Sequence, residues 1–181
     1  AASAVASRPG ARRLASTGSD RVVRVWDLDT GRTLRILEGS DGVGQSLAVA
    51  PNGRLIAAGT VDGSIHLWDA TTCERIAELR GHAMHVESLV FAPDSAFLVS
   101  CSYDKTIRLW DLQTRLDVAT LAGHTGNVNC LALSRDGRRL ASAGCDLTTR
   151  LWEINTTPGW NSLGQPDADR PPSAGAFGAA Y

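Results

Sequence analysis

Side chains that could supply a nucleophile and its base occur here in a fixed pattern. His82, Ser100 and Asp104 are followed by His124, Ser142 and Asp146, each displaced by 42 residues. A hydroxyl, an imidazole and a carboxylate within reach of one another can attack a carbonyl and shuttle the proton. The same groups also make a purely structural chain, in which the imidazole bridges carboxylate to hydroxyl without reacting. Recurrence separates the two readings. Catalysis needs one exposed nucleophile beside an oxyanion hole and has no use for periodic copies, whereas a network that builds a repeated unit must appear once per unit. No catalytic residue is therefore assigned, and hydrolysis by this set is kept as a hypothesis to be tested.

Other chemistry is sparse. His82 and His85 form an HxxH pair, but no third ligand is placed nearby, so no metal is assigned. Cys73, Cys101, Cys130 and Cys145 contain no CxxC pair, which argues against a zinc site or a redox pair; unpaired thiols suggest a cytosolic or nuclear protein. No phosphate-cradling glycine loop precedes Lys105, the only lysine, and no cofactor is expected. Asn155-Thr156-Thr157 matches a glycosylation acceptor but is discounted as a chance tripeptide. The net charge is −1 and the arginines are scattered, so nucleic acid is not an expected partner. Nor is a membrane, because no apolar run approaches the roughly 20 residues of a span. Arg24 with Asp27 and Arg108 with Asp111 read as pairs decorating exposed strand edges.

The elements that position these residues follow the same period. Trp26, Trp68, Trp110 and Trp152 recur at 42 residues, each followed by an acid and each preceded six residues earlier by Asp20, Asp62, Asp104 or Asp146. Gly81-His82 and Gly123-His124 fall in register with them. In the third repeat, the runs 88–91, 97–101, 106–110 and 117–121 are too short for helices and are bounded by turn residues, which predicts four strands, a to d. Pro51-Asn52-Gly53, Pro93-Asp94-Ser95 and Arg135-Asp136-Gly137 suit tight a-to-b turns. Single four-stranded sheets have hazardous edges and bare faces, and stacking them around an axis protects both.

Period, dipeptides and offsets together resemble the WD-repeat family over about residues 1–164. The resemblance implies an all-β propeller with blades at about 1–40, 41–82, 83–124 and 125–164, the last strand being Trp160 to Leu163, and a disordered Pro/Ala/Gly-rich tail over 165–181. It also implies structural tetrads in which histidine links aspartate to serine and serine links to the indole: His82, Ser100, Asp104 and Trp110, then His124, Ser142, Asp146 and Trp152. Partial tetrads remain in the first repeat (Ser16, Asp20, Trp26) and the second (Asp62, Trp68). Ser40 and Ala58 replace histidine and serine in the second repeat, so that blade is expected to rely on packing. WD propellers close with about seven blades. The absence of an initial methionine and of a first histidine suggests that blades are missing upstream, and the isolated chain is expected to self-associate through open blade faces.

The function implied is a non-catalytic scaffold for protein–protein interaction in a multiprotein complex; the alternative is the regulatory propeller of a larger kinase or ATPase. By resemblance the docking positions are His85, Glu87 and Tyr103 in the third repeat and Asn127, Asn129 and Cys145 in the fourth. Val43, Gln45 and Val61 are their equivalents in the second, and Ala1, Ser3 and Ser19 in the first. Tyr103, at the tip of a b-to-c turn and packing on nothing in its own blade, is the expected centre.

Overall fold

Short apolar runs separated by turn formers become strands here because the turns close locally. In the third repeat, Ser95 N–H donates to the Ala92 carbonyl at 2.8 Å, with Ser95 at a φ of 60°. Gly53 and Gly137 make the same bond and hold φ values of 72° and 71°, the left-handed conformation that glycine tolerates best. Each tryptophan-following aspartate closes the next turn. Asp27, Asp69 and Asp111 accept backbone N–H bonds from residues two or three positions on, at 2.6–3.0 Å. Asp27 and Asp111 are thus turn caps and not partners of strand arginines. Arg24 pairs instead with Asp20, and Arg108 with Asp117.

The computed structural model describes residues 2–7, 10, 12–38 and 42–154. They form fifteen strands in four antiparallel sheets, with no helix among the described residues. The first sheet holds β1 (Ala2–Ala6), β2 (Arg13–Gly18), β3 (Val23–Asp27) and β4 (Thr33–Leu37). The second holds β5 (Gly44–Val49), β6 (Leu55–Thr60), β7 (Ile65–Asp69) and β8 (Arg75–Leu79). The third holds β9 (Val86–Phe91), β10 (Phe97–Ser102), β11 (Ile107–Asp111) and β12 (Asp117–Leu121). The fourth holds β13 (Val128–Leu133), β14 (Arg139–Gly144) and β15 (Thr149–Glu153). The last strand expected at Trp160 to Leu163, the tail, Asn155 to Thr157, Ala1 and Ser40 lie outside the described residues.

Strand order follows the chain within every sheet, so each blade is a meander. The first strands of successive blades lie side by side, β1 against β5, β5 against β9 and β9 against β13. Three apolar cores fill the three seams. Val23, Val25 and Leu37 meet Leu47, Ile56 and Trp68; Ile65, Leu67 and Leu79 meet Val86, Leu98 and Trp110; Ile107, Leu109 and Leu121 meet Val128, Leu140 and Trp152. Each seam therefore receives its tryptophan from the later blade. Burial of one such indole contributes about 4–6 kcal/mol as an upper estimate.

The four sheets do not close into a ring. The far face of the fourth blade shows this residue by residue. Leu151 is 63 % exposed, whereas its equivalents Leu109 and Leu67 are 1 % exposed and Val25 8 %. Thr149 is likewise exposed where Ile107, Ile65 and Val23 are fully buried.

Candidate docking face and its hydrogen-bonded supports

The turns from the second to the third strand are held by hydrogen-bond networks, and in the third and fourth blades these begin in the preceding loop. In the third blade, His82 Nδ1 lies 2.8 Å from Asp104 Oδ2 and its Nε2 2.8 Å from Ser100 Oγ, which in turn accepts the Trp110 indole N–H at 2.8 Å. The fourth blade repeats these distances with His124, Asp146, Ser142 and Trp152. Both ring nitrogens of His82 are thereby used, so His82 and His85 do not form a chelating pair.

A further member went unread in the sequence. The Thr106 hydroxyl and amide both donate to Asp104 Oδ1, at 2.6 and 2.9 Å, and Thr148 does the same to Asp146 at 2.7 and 3.0 Å. The signal was present as an Asp-x-Thr spacing in both repeats. Burial opposes charge on Asp104, but the bonds from His82 and Thr106 outweigh it and hold the carboxyl well below the usual carboxylate range. Asp146 is depressed against burial by Thr148, the Thr125 amide and His124.

The first blade keeps the outer half of the network. Trp26 donates to Ser16 Oγ at 2.8 Å, while Asp20 takes Arg24 as its partner. The second blade corrects an expectation, because it does not rely on packing alone. His66 stands on β7 directly opposite Ala58, at the position where the other blades carry Arg24, Arg108 and Arg150. Loss of the serine side chain accompanies a fully buried imidazole supplied by the same blade's third strand. Its Nε2 lies 3.2 Å from Ser64 Oγ, which donates to Asp62 Oδ1 at 2.7 Å, and Thr60 donates to the same oxygen. Burial works against the charge on Asp62, yet these hydroxyls and the Ser64 amide bring its pKa down to about 2. The Trp68 indole, deprived of a serine, donates to the Glu38 carbonyl at 3.0 Å.

Beside these supports lie the positions expected to dock a partner. Ladder pairing shows that every first strand carries a β-bulge at one repeated place. Pairing skips Ser3 between Ala2 and Ala4, Gln45 between Gly44 and Ser46, Glu87 between Val86 and Ser88, and Asn129 between Val128 and Cys130. A bulged residue leaves the ladder and its side chain is re-aimed. Backbone bonds from Val61 N–H to Val43 O, Tyr103 N–H to His85 O and Cys145 N–H to Asn127 O, at 2.7–3.0 Å, tie each turn to the strand's approach. The structure thus brings His85, Glu87 and Tyr103 together in the third blade and Asn127, Asn129 and Cys145 in the fourth. Asn129 Nδ2 reaches Cys145 Sγ at 3.2 Å. Tyr103 is not unsupported: its ring stacks on His85, centroids 5.0 Å apart and planes at 17°. Its phenol pKa is raised first by the Glu87 charge and then by burial.

The family model for the WD domain, G-beta repeat, matches the chain four times, over residues 2–27, 31–69, 73–111 and 116–153. A comparison with curated proteins returned no match. WD repeats generally mediate protein–protein interaction and are generally non-catalytic. With the family model covering most of its length and the recurring tetrads in place, the chain belongs to the WD-repeat family.

Proposed function

We propose that this chain is a non-catalytic docking surface for another protein or peptide within a larger complex, with contact made on the face that carries His85, Glu87 and Tyr103. The observation that carries the reading is the bulge series with the ring stack beside it. Four side chains are turned out of their ladders at equivalent places, and at one of them a half-buried aromatic pair stands next to an acid. Rigid aromatic surface flanked by polar groups is the composition of interaction hot spots. The Ser100 and Ser142 hydroxyls support the non-catalytic side of the reading. Both are buried and already accept an indole N–H, which suits a structural bond and not attack on a substrate.

Affinity capture with the whole chain and with a His85→Ala, Glu87→Ala, Tyr103→Ala variant tests this. Loss of the captured partner at an unchanged melting temperature is the expected result. Identical capture by the two forms would move the interface off this face.

A further inference from the structure

The inner strands β1, β5 and β9 border an open concavity of about 330 Å³, and the bulged residues Ser3, Gln45 and Glu87 line it together with Ser46 and Ser88. Its side-chain hydrogen-bonding groups are neutral except for one. Glu87 stands half-buried on the wall of this concavity, and among the described residues its Oε2 accepts no hydrogen bond and the side chain takes part in no ion pair. The strongest complement to a carboxylate that has no ion pair is a cationic donor. Beside the carboxylate, the stacked Tyr103 and His85 rings offer a flat surface of the kind on which a guanidinium plane or an aliphatic stem lies.

We propose that Glu87 accepts a positively charged side chain, arginine or lysine, of the docked partner, with its head in the concavity between β5 and β9 and its stem on the Tyr103–His85 stack. This rests on the docking reading above and adds the chemistry of the residue that docks. Gln45 occupies the equivalent bulge of the second blade, so Glu87→Gln places at this site a side chain that the geometry already accommodates. The neutral amide keeps the shape and removes the charge.

The test uses the 181-residue chain with isotope-labelled tyrosine, whose two rings, Tyr103 and Tyr181, are told apart by the Tyr103→Phe variant. The probes are N-acetylated, amidated tripeptides, Gly-Arg-Gly, Gly-Lys-Gly and the uncharged counterpart with citrulline. The charged peptides are expected to shift the Tyr103 resonance, with the citrulline peptide and the Glu87→Gln variant each binding about tenfold more weakly or not at all. Equal shifts from citrulline and arginine, or equal binding by Glu87→Gln at an unchanged melting temperature, would overturn the charge assignment while leaving the face a docking surface. No shift from any peptide would overturn it as well, and the capture experiment then decides the docking reading on its own.

Discussion

At the residue scale, Ser100 is the member whose removal separates structure from chemistry. Ser100→Ala leaves the Trp110 indole and His82 Nε2 without their shared partner, and stranding buried polar groups costs about 1–3 kcal/mol. Denaturant unfolding is expected to show that loss, with no esterase or protease activity disappearing alongside it; turnover that vanished with Ser100 would end the non-catalytic reading. The acids make a second case. Asp62, Asp104 and Asp146 are depressed in the folded chain. Their contribution is therefore fully present above the unfolded carboxylate value of about 3.9 and is lost as pH falls through the lower folded values. Melting temperature should drop below about pH 4, and Asp104→Asn should flatten part of that acid limb. A melting temperature indifferent to pH across this window would count against the hydrogen bonds assigned to these carboxyls. Tyr103 runs the other way, since Glu87 disfavours its phenolate. Glu87→Gln should lower the phenol's midpoint in an ultraviolet titration, with the Tyr103→Phe variant identifying the Tyr103 component.

At the scale of the element, the turn between β6 and β7 shows how one blade seats the next. Gly63 holds a φ of 90°, and a Cβ there would lie 2.5 Å from the backbone carbonyl of His82, which its own tetrad fixes. Gly63→Ala combines backbone strain with a clash that cannot relax cheaply, so a loss of about 1–3 kcal/mol is expected. Hydrogen exchange should place the loosening at the seam of the second and third blades. His66→Ala should instead speed exchange within β6 and β7, and unchanged protection there would deny His66 its supporting part. The strands, their order and the two full tetrads were legible in the sequence because tryptophan, aspartate and histidine recur at one period and a period is visible in one dimension. His66 was not, because it works by standing opposite Ala58 across a ladder, and no repeat shares that pair. The bulges were hidden for a similar reason: a skipped residue in one strand shows only against its partner. Tyr103 was placed at its turn correctly and its packing was missed, since stacking on His85 depends on how two loops meet.

At the scale of the whole molecule, the arc of four blades leaves Leu151 on an uncovered face. Burying a leucine contributes about 1.5–3 kcal/mol, and the equivalent face is covered at every internal seam. A chain of these residues is expected to associate as concentration rises, and Leu151→Asp to shift it toward monomer, both read by light scattering. A wild-type chain that stayed monomeric at high concentration would show that this face needs no cover. The bulges have a different consequence along the inner side of the same arc. Once a residue drops out of its ladder, strand register no longer constrains its identity, and Ser3, Gln45, Glu87 and Asn129 are already four different side chains on one repeated backbone form. The scaffold and its message are written in separate scripts: the tetrads and seams carry the grammar that keeps the blades upright, while the bulged positions are characters that can be exchanged one at a time. On the docking reading proposed above, changing a partner's preference needs no refolding, only a new letter in a place already set to receive it.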